Sequence, residues 1–347
     1  MLPGMNKILF LLVGILLGAI CSGQAGEDLN IVLPTPNKAI FSGGGDDFYM
    51  YTDRDFDGKK TFPWEGGQYG YTRSPRRTSY GVMMTRFHEG IDIKPVSRDA
   101  SGEPLDPIYA VDHGVVAHVN DLPGLSNYGR YIVILHQWQG SEYYTLYAHL
   151  NAASVVAGQE VKRGQTIGRL GHTGDGINKA RSHLHFEVGM VMNDHFQGWF
   201  DQYMPGEVNQ QGLYNGMNLN GWNPADFLLA LKKNPSLQIA QFIREEEGVL
   251  WKVIIPNPGR INVLEKYPWL REAYNGSPLS WEVHIGDTGI PVRFIPRSEV
   301  VTEPRLLWVR KEPLPLQFIS KGMLTGSSSK PALTKGAYQY LMLMLQQ

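Results

Sequence analysis

Two short stretches alternate hydrocarbon with imidazole or carboxylate: Arg86-Phe87-His88-Glu89-Gly90-Ile91-Asp92-Ile93, and much later Ser182-His183-Leu184-His185-Phe186-Glu187-Val188. In an extended strand, residues two and four apart point to the same face. His88 and Asp92 are therefore expected on one face, with Phe87, Ile91 and Ile93 on the other. His183 and His185 are likewise expected to share a face, with Leu184, Phe186 and Val188 behind them. From Tyr80 to about Val191 the chain reads as short strands broken at short intervals by turn residues. Residues 108–111 and 114–119 look like a hairpin, and residues 131–136 pair naturally with 143–149. The pattern predicts a mainly β protein, α+β overall, whose central part is an antiparallel barrel-like sandwich with an open groove.

The flanks differ. Residues 26–79 are rich in Gly, Pro, Asp and aromatics, and predict a loop-rich lead packed on the central domain. Within it, Asp53-Arg54-Asp55-Phe56-Asp57-Gly58 starts like a calcium loop, but loop position twelve is Trp64 instead of the bidentate Glu. A solvated acidic turn is the plainer expectation there. After Val191 comes a Gly/Asn/Gln-rich insertion to about Asn220, then a helix over 223–231 with Pro in its first turn. Beyond that, a helix at 239–247, a hairpin of 281–285 with 292–295, and a terminal helix over 332–345 suggest a smaller α+β domain of unknown role. The expected division is thus 1–25, 26–79, 80–232 and 233–347.

The 347 residues carry a formal net charge of −1, which gives no electrostatic case for nucleic acid or an acidic membrane surface. Lys7, the apolar run from Ile8 to Ile20, and Gly23-Gln24-Ala25 read as a signal peptide with its cleavage site. The protein is expected to be exported, periplasmic or extracellular, with no membrane span after cleavage. Cys21 is the sole cysteine; Ile20 is bulkier than the small residue a lipidation signal places before it, which argues against an anchor there. Cleavage after Ala25 would leave no thiol for a disulfide, a metal or catalysis.

Imidazole and carboxylate are natural zinc donors, and a catalytic zinc site uses three protein ligands with a position left open. His88, Asp92 and His185 meet that count, while His149 and His183 are candidates for proton transfer. The remaining histidines read as surface or hydrogen-bonded core residues. The H-E-G-I-D, Y-A-H-L and S-H-L-H-F-E-V segments, in that order, resemble the lysostaphin-type (LytM-like) zinc metalloendopeptidases. Residues 161–168 and 171–174 resemble the family's connecting pieces, and 223–228 its closing tail. The resemblance covers about residues 80–232. It implies a strongly bent antiparallel sheet, Zn2+ held by His88, Asp92 and His185, catalytic His149 and His183, and hydrolysis of peptide bonds in peptidoglycan cross-links. The competing expectation is a non-catalytic wall-binding or hydrolase-regulating module on the same fold. A third is that the lead lies over the groove and fills the open metal position.

Overall fold

The computed structural model describes residues 28–347. The expected signal peptide and Cys21 lie outside the described residues. Among those described, no helix is long and apolar enough to cross a membrane.

The protein is mainly β, with several antiparallel sheets and no closed barrel among the described residues. A seven-stranded sheet forms the centre. Its order runs Glu160–Val161, Gly114–Asn120, Tyr131–Trp138, Ser141–Ala148 and Leu184–Val191. Two short strands, Ile91–Ile93 and Leu219–Gly221, then pair with opposite ends of Leu184–Val191. A second sheet joins Leu150–Ala153, Thr166–Leu170 and Pro107–Tyr109.

Strand parity divides the central sheet into two faces. Ile132, Ile134, Tyr147, Leu184, Phe186 and Val188 belong to the main core, whereas Tyr131, Val133, Tyr144, Leu146 and Ala148 form a second cluster. The strand Leu184–Val191 is buried throughout, because both faces are covered. Its polar residues His185 and Glu187 lie opposite Ala148 and Leu146, on the face of the second cluster.

Three expectations need correction. The segment around His88 is not one strand: Gly81–His88 ends, the chain turns at Glu89-Gly90, and Ile91–Ile93 begins anew. Residues 108–111 and 114–119 do not form a hairpin. Pro107–Tyr109 pairs with Thr166–Leu170, and Gly114–Asn120 pairs with Tyr131–Trp138. The backbone of Gly114 lies so close to the latter strand that a Cβ would meet the Leu135 carbonyl oxygen at 2.5 Å. The terminal helix is shorter than 332–345: Lys330–Leu333 is a strand, and the helix Lys335–Leu345 starts after Thr334, whose hydroxyl accepts from the Ala337 N–H as an N-cap.

Residues Asp53 to Gly58 build a tight hairpin of Arg54–Phe56 with Lys59–Thr61, and Asp57 is paired with Arg77 instead of being free for calcium. The lead also contains a strand that alternation did not reveal, Gly70–Thr78, which pairs with Gly81–His88.

The C-terminal residues build a four-stranded sheet in the order Pro291–Arg297, Ser280–Ile285, Trp251–Pro256, Arg305–Val309. Their buried side chains belong to the same continuous cluster that contains Ile91 and Phe186. Polar contacts reinforce this junction. Val191 N–H donates to Tyr267 Oη at 2.9 Å, and Lys321 N–H donates to Tyr71 Oη at 2.6 Å.

Candidate metal centre

Strand register places the first two groups. His185 is directly paired with Asp92 on one side and with Ala148 on the other. The turn at Gly90 then folds His88 back over them. Only glycine fits there: a Cβ would lie 2.5 Å from the Phe186 carbonyl oxygen and 2.9 Å from His185 Cε1. As a result His88 Nε2, Asp92 Oδ1 and His185 Nδ1 form a triangle with sides of 3.1 Å. Three donors bound to one ion at roughly 2.0–2.2 Å in a tetrahedron stand about 3.3 Å apart. The three groups therefore converge closely enough to hold one metal ion, and they are all buried.

Partners at the far ring nitrogens fix which atoms face the centre. His88 Nδ1–H donates to the Gln68 carbonyl at 2.8 Å, so Nε2 carries the free lone pair. His185 Nε2–H donates to Glu187 Oε1 at 2.9 Å, which leaves Nδ1 for the triangle. Glu187 is itself buried and accepts from Tyr128 Oη at 2.7 Å and Tyr144 Oη at 3.0 Å. A carboxylate behind a ligating imidazole fixes its orientation and raises its basicity. The sequence pattern alone assigns Glu187 no role; its place two residues beyond His185, on the same strand face, is the available signal.

His149 and His183 stand on the adjoining wall, their ring centroids 4.8 Å apart. His183 Nε2 is 3.4 Å from Asp92 Oδ1, and its Nδ1–H donates to the Arg181 carbonyl at 2.6 Å. His149 follows the end of strand Ser141–Ala148 in the left-handed region, with φ 63°. A histidine there is uncommon, and such strain concentrates at functional sites. Its Nδ1–H donates to the Thr173 carbonyl at 2.9 Å, so Nε2 is an acceptor. All five histidine and aspartate side chains predicted from the sequence thus meet in one place. His136 is a satisfied core residue, held by the His113 carbonyl and Thr145 Oγ1.

Without a metal, burial holds His88 below the usual histidine range. Burial, aided by the neighbouring His183 and His185, holds His149 well below it. Burial also opposes charge on Asp92, but the surrounding imidazoles and Arg73 outweigh it and keep the carboxyl well below its ordinary value. For His185, burial is outweighed by hydrogen bonds to Asp92 and Glu187, and the ring is pushed up to about 9.

The centre opens into a cleft of about 740 Å³. One wall comes from Gly81–His88 and Arg73; another comes from Gln211, Asn215 and Met217 in the polar insertion, to which the sequence assigned no role.

The model of peptidase family M23 matches residues 86–197. Among curated proteins, the peptidoglycan DD-endopeptidase ShyA of Vibrio cholerae serotype O1 is 40% identical over 115 residues, 33% of this chain and 23% of that protein. Lipoprotein NlpD of Yersinia enterocolitica is 33% identical over 90 residues, 26% of this chain and 84% of that protein. A solved zinc-containing peptidase from Vibrio cholerae shares 29% identity, covers 40% of this chain and 42% of its own, and superposes with a TM-score of 0.24. The chain spans less than a quarter of the length of the first curated relatives it matches.

Proposed function

This chain belongs to peptidase family M23, and from that premise we propose that it is a zinc-dependent endopeptidase that hydrolyses cross-linking peptides of peptidoglycan outside the cytoplasm. The single observation that carries the reading is the 3.1 Å triangle of His88 Nε2, Asp92 Oδ1 and His185 Nδ1, with two further imidazoles on the adjoining wall. Two imidazole nitrogens and one carboxylate oxygen are a zinc donor set, and three protein ligands leave room for substrate or water. The substrate class is supported by the DD-endopeptidase relative over the matching residues.

His88, Asp92 and His185 would hold the ion. A bound zinc supplies Lewis acidity, which polarises a carbonyl and makes water nucleophilic near neutral pH. The chain's own groups do the rest. Glu187 keeps the His185 ring turned toward the centre. His149, kept neutral by burial, presents Nε2 to take a proton from the attacking water. His183 stands beside it to stabilise charge on the carbonyl oxygen and to assist protonation of the leaving amine. The cleft takes an extended peptide between the Gly81–His88 wall and the insertion.

The test is incubation of zinc-loaded protein with purified peptidoglycan, followed by mass identification of released fragments. Cross-link cleavage is expected, with a loss of at least about a hundredfold in His149→Ala, the usual scale for a general base. Stoichiometric zinc without any peptide cleavage would overturn the enzyme reading in favour of a wall-binding or regulatory module.

A further inference from the structure

Besides the three candidate ligands and Glu187, the centre contains a cationic side chain. Arg73, from strand Gly70–Thr78, reaches between two of the ligands. Its Nη2 donates to Asp92 Oδ2 at 2.5 Å and lies 3.0 Å from His88 Nε2. Its Nε–H donates to the Gly66 carbonyl at 3.0 Å, which anchors the near end of the guanidinium.

The two contacts differ in kind. A guanidinium has donors only, so its approach to His88 must be an N–H directed at the ring's lone pair. His88 has already committed Nδ1–H to Gln68, and Nε2 offers one in-plane lone pair. That pair cannot serve an N–H and a metal together. Asp92 has room for both, because a carboxylate offers about four acceptor sites. Oδ1 faces His88, His183 and His185, while Oδ2 faces Arg73. Metal entry therefore requires Arg73 to release His88 but not Asp92. Its side chain is 25% exposed and lines the cleft, so there is space on the solvent side for that shift.

Charge gives the reason for such a group. Asp92 and Glu187 are both buried in the centre. A buried carboxylate without a partner is costly, and a guanidinium in hydrogen-bond contact offsets that cost. Resting on the metal reading above, we propose that Arg73 is a guard of this centre: it holds the His88 lone pair and Asp92 Oδ2 until a metal arrives, then keeps Asp92 alone as the residue that positions this ligand.

The experiment measures zinc affinity of the full chain by competition with a chromogenic chelator, for the parent and for R73M and R73K, with melting of each metal-free protein recorded alongside. Removing Arg73 abolishes a hydrogen bond that zinc must otherwise break, and removes a positive charge beside a dication. R73M is expected to bind zinc about tenfold more tightly, the scale of one charge-assisted hydrogen bond. Its metal-free form is expected to melt below the parent, because Asp92 Oδ2 has lost its guanidinium and only the imidazoles at Oδ1 remain. Zinc binding by R73M that equals or falls below the parent overturns the proposal. Should R73M fail to fold, R73K decides: it keeps the charge but not the two-point bridge, and a smaller gain in affinity is expected, with no gain overturning the proposal. Release of wall fragments by the parent is scored separately. Tighter zinc in R73M with no fragments from any form supports the role of Arg73 while ending the peptidase reading.

Discussion

Replacing Glu187 by Gln probes the support of the candidate metal centre with almost no change in shape. Glu187 accepts from three donors: His185 Nε2 at 2.9 Å, Tyr128 Oη at 2.7 Å and Tyr144 Oη at 3.0 Å. A glutamine can keep its oxygen on His185 and Tyr128, and the Tyr144 hydroxyl can rotate to accept from the amide, so the fold should survive. What disappears is the charge. Hydrogen bonds to an ionised partner contribute roughly 1.5–3 kcal/mol and neutral ones about 0.5–1.5 kcal/mol. The difference, about 1–1.5 kcal/mol, is close to a factor of ten in an equilibrium constant. It falls on metal binding because the ligand set would then face a dication with one negative charge fewer behind it. Chelator competition should give zinc affinity roughly tenfold weaker in E187Q, with an unchanged circular dichroism spectrum. Affinity within about twofold of the parent in a folded variant would refute the assignment of Glu187 as the group behind His185, since the predicted loss is tenfold.

Two other perturbations test separate links. Gly90→Ala introduces a Cβ 2.5 Å from the Phe186 carbonyl oxygen, and forcing the turn outward should cost about 1–3 kcal/mol in urea unfolding and weaken zinc binding; parent-like values for both would show that the turn yields easily. Glu247 is buried at the end of helix Ile239–Glu247, and burial pushes its carboxyl up to about 7 although Thr288 N–H and Oγ1 donate to it. The folded protein therefore keeps a proton that the unfolded chain loses from about pH 4.5 upward, so this group's contribution declines as pH rises and levels off above about 7. The decline is on the order of 3 kcal/mol, and melting of E247Q between pH 4.5 and pH 8 should lack it; an identical slope in the variant would assign the effect elsewhere.

Alternation and residue chemistry by themselves determine much of this protein. The parity of Leu184, Phe186 and Val188 against His183 and His185 separates the two faces of one segment, and the structure puts the first three in the main core and His185 opposite Ala148 on the other face, both faces being covered. The donor types at 88, 92 and 185 point to a candidate metal site, because few other chemistries use two imidazoles and a carboxylate in this way. Tertiary structure alone decided how those groups meet. His88 and Asp92 converge through a turn that only glycine tolerates, not through strand periodicity. Strand partners also lay beyond local reading, since period-two alternation identifies a strand but not its neighbour, as residues 108–119 illustrate. The hairpin strand Gly70–Thr78 is polar and only partly covered, so it carried no alternation by which to see it. Arg73 rides on that strand, and its contact with His88 and Asp92 is a through-space event between segments whose local sequences give no sign of each other.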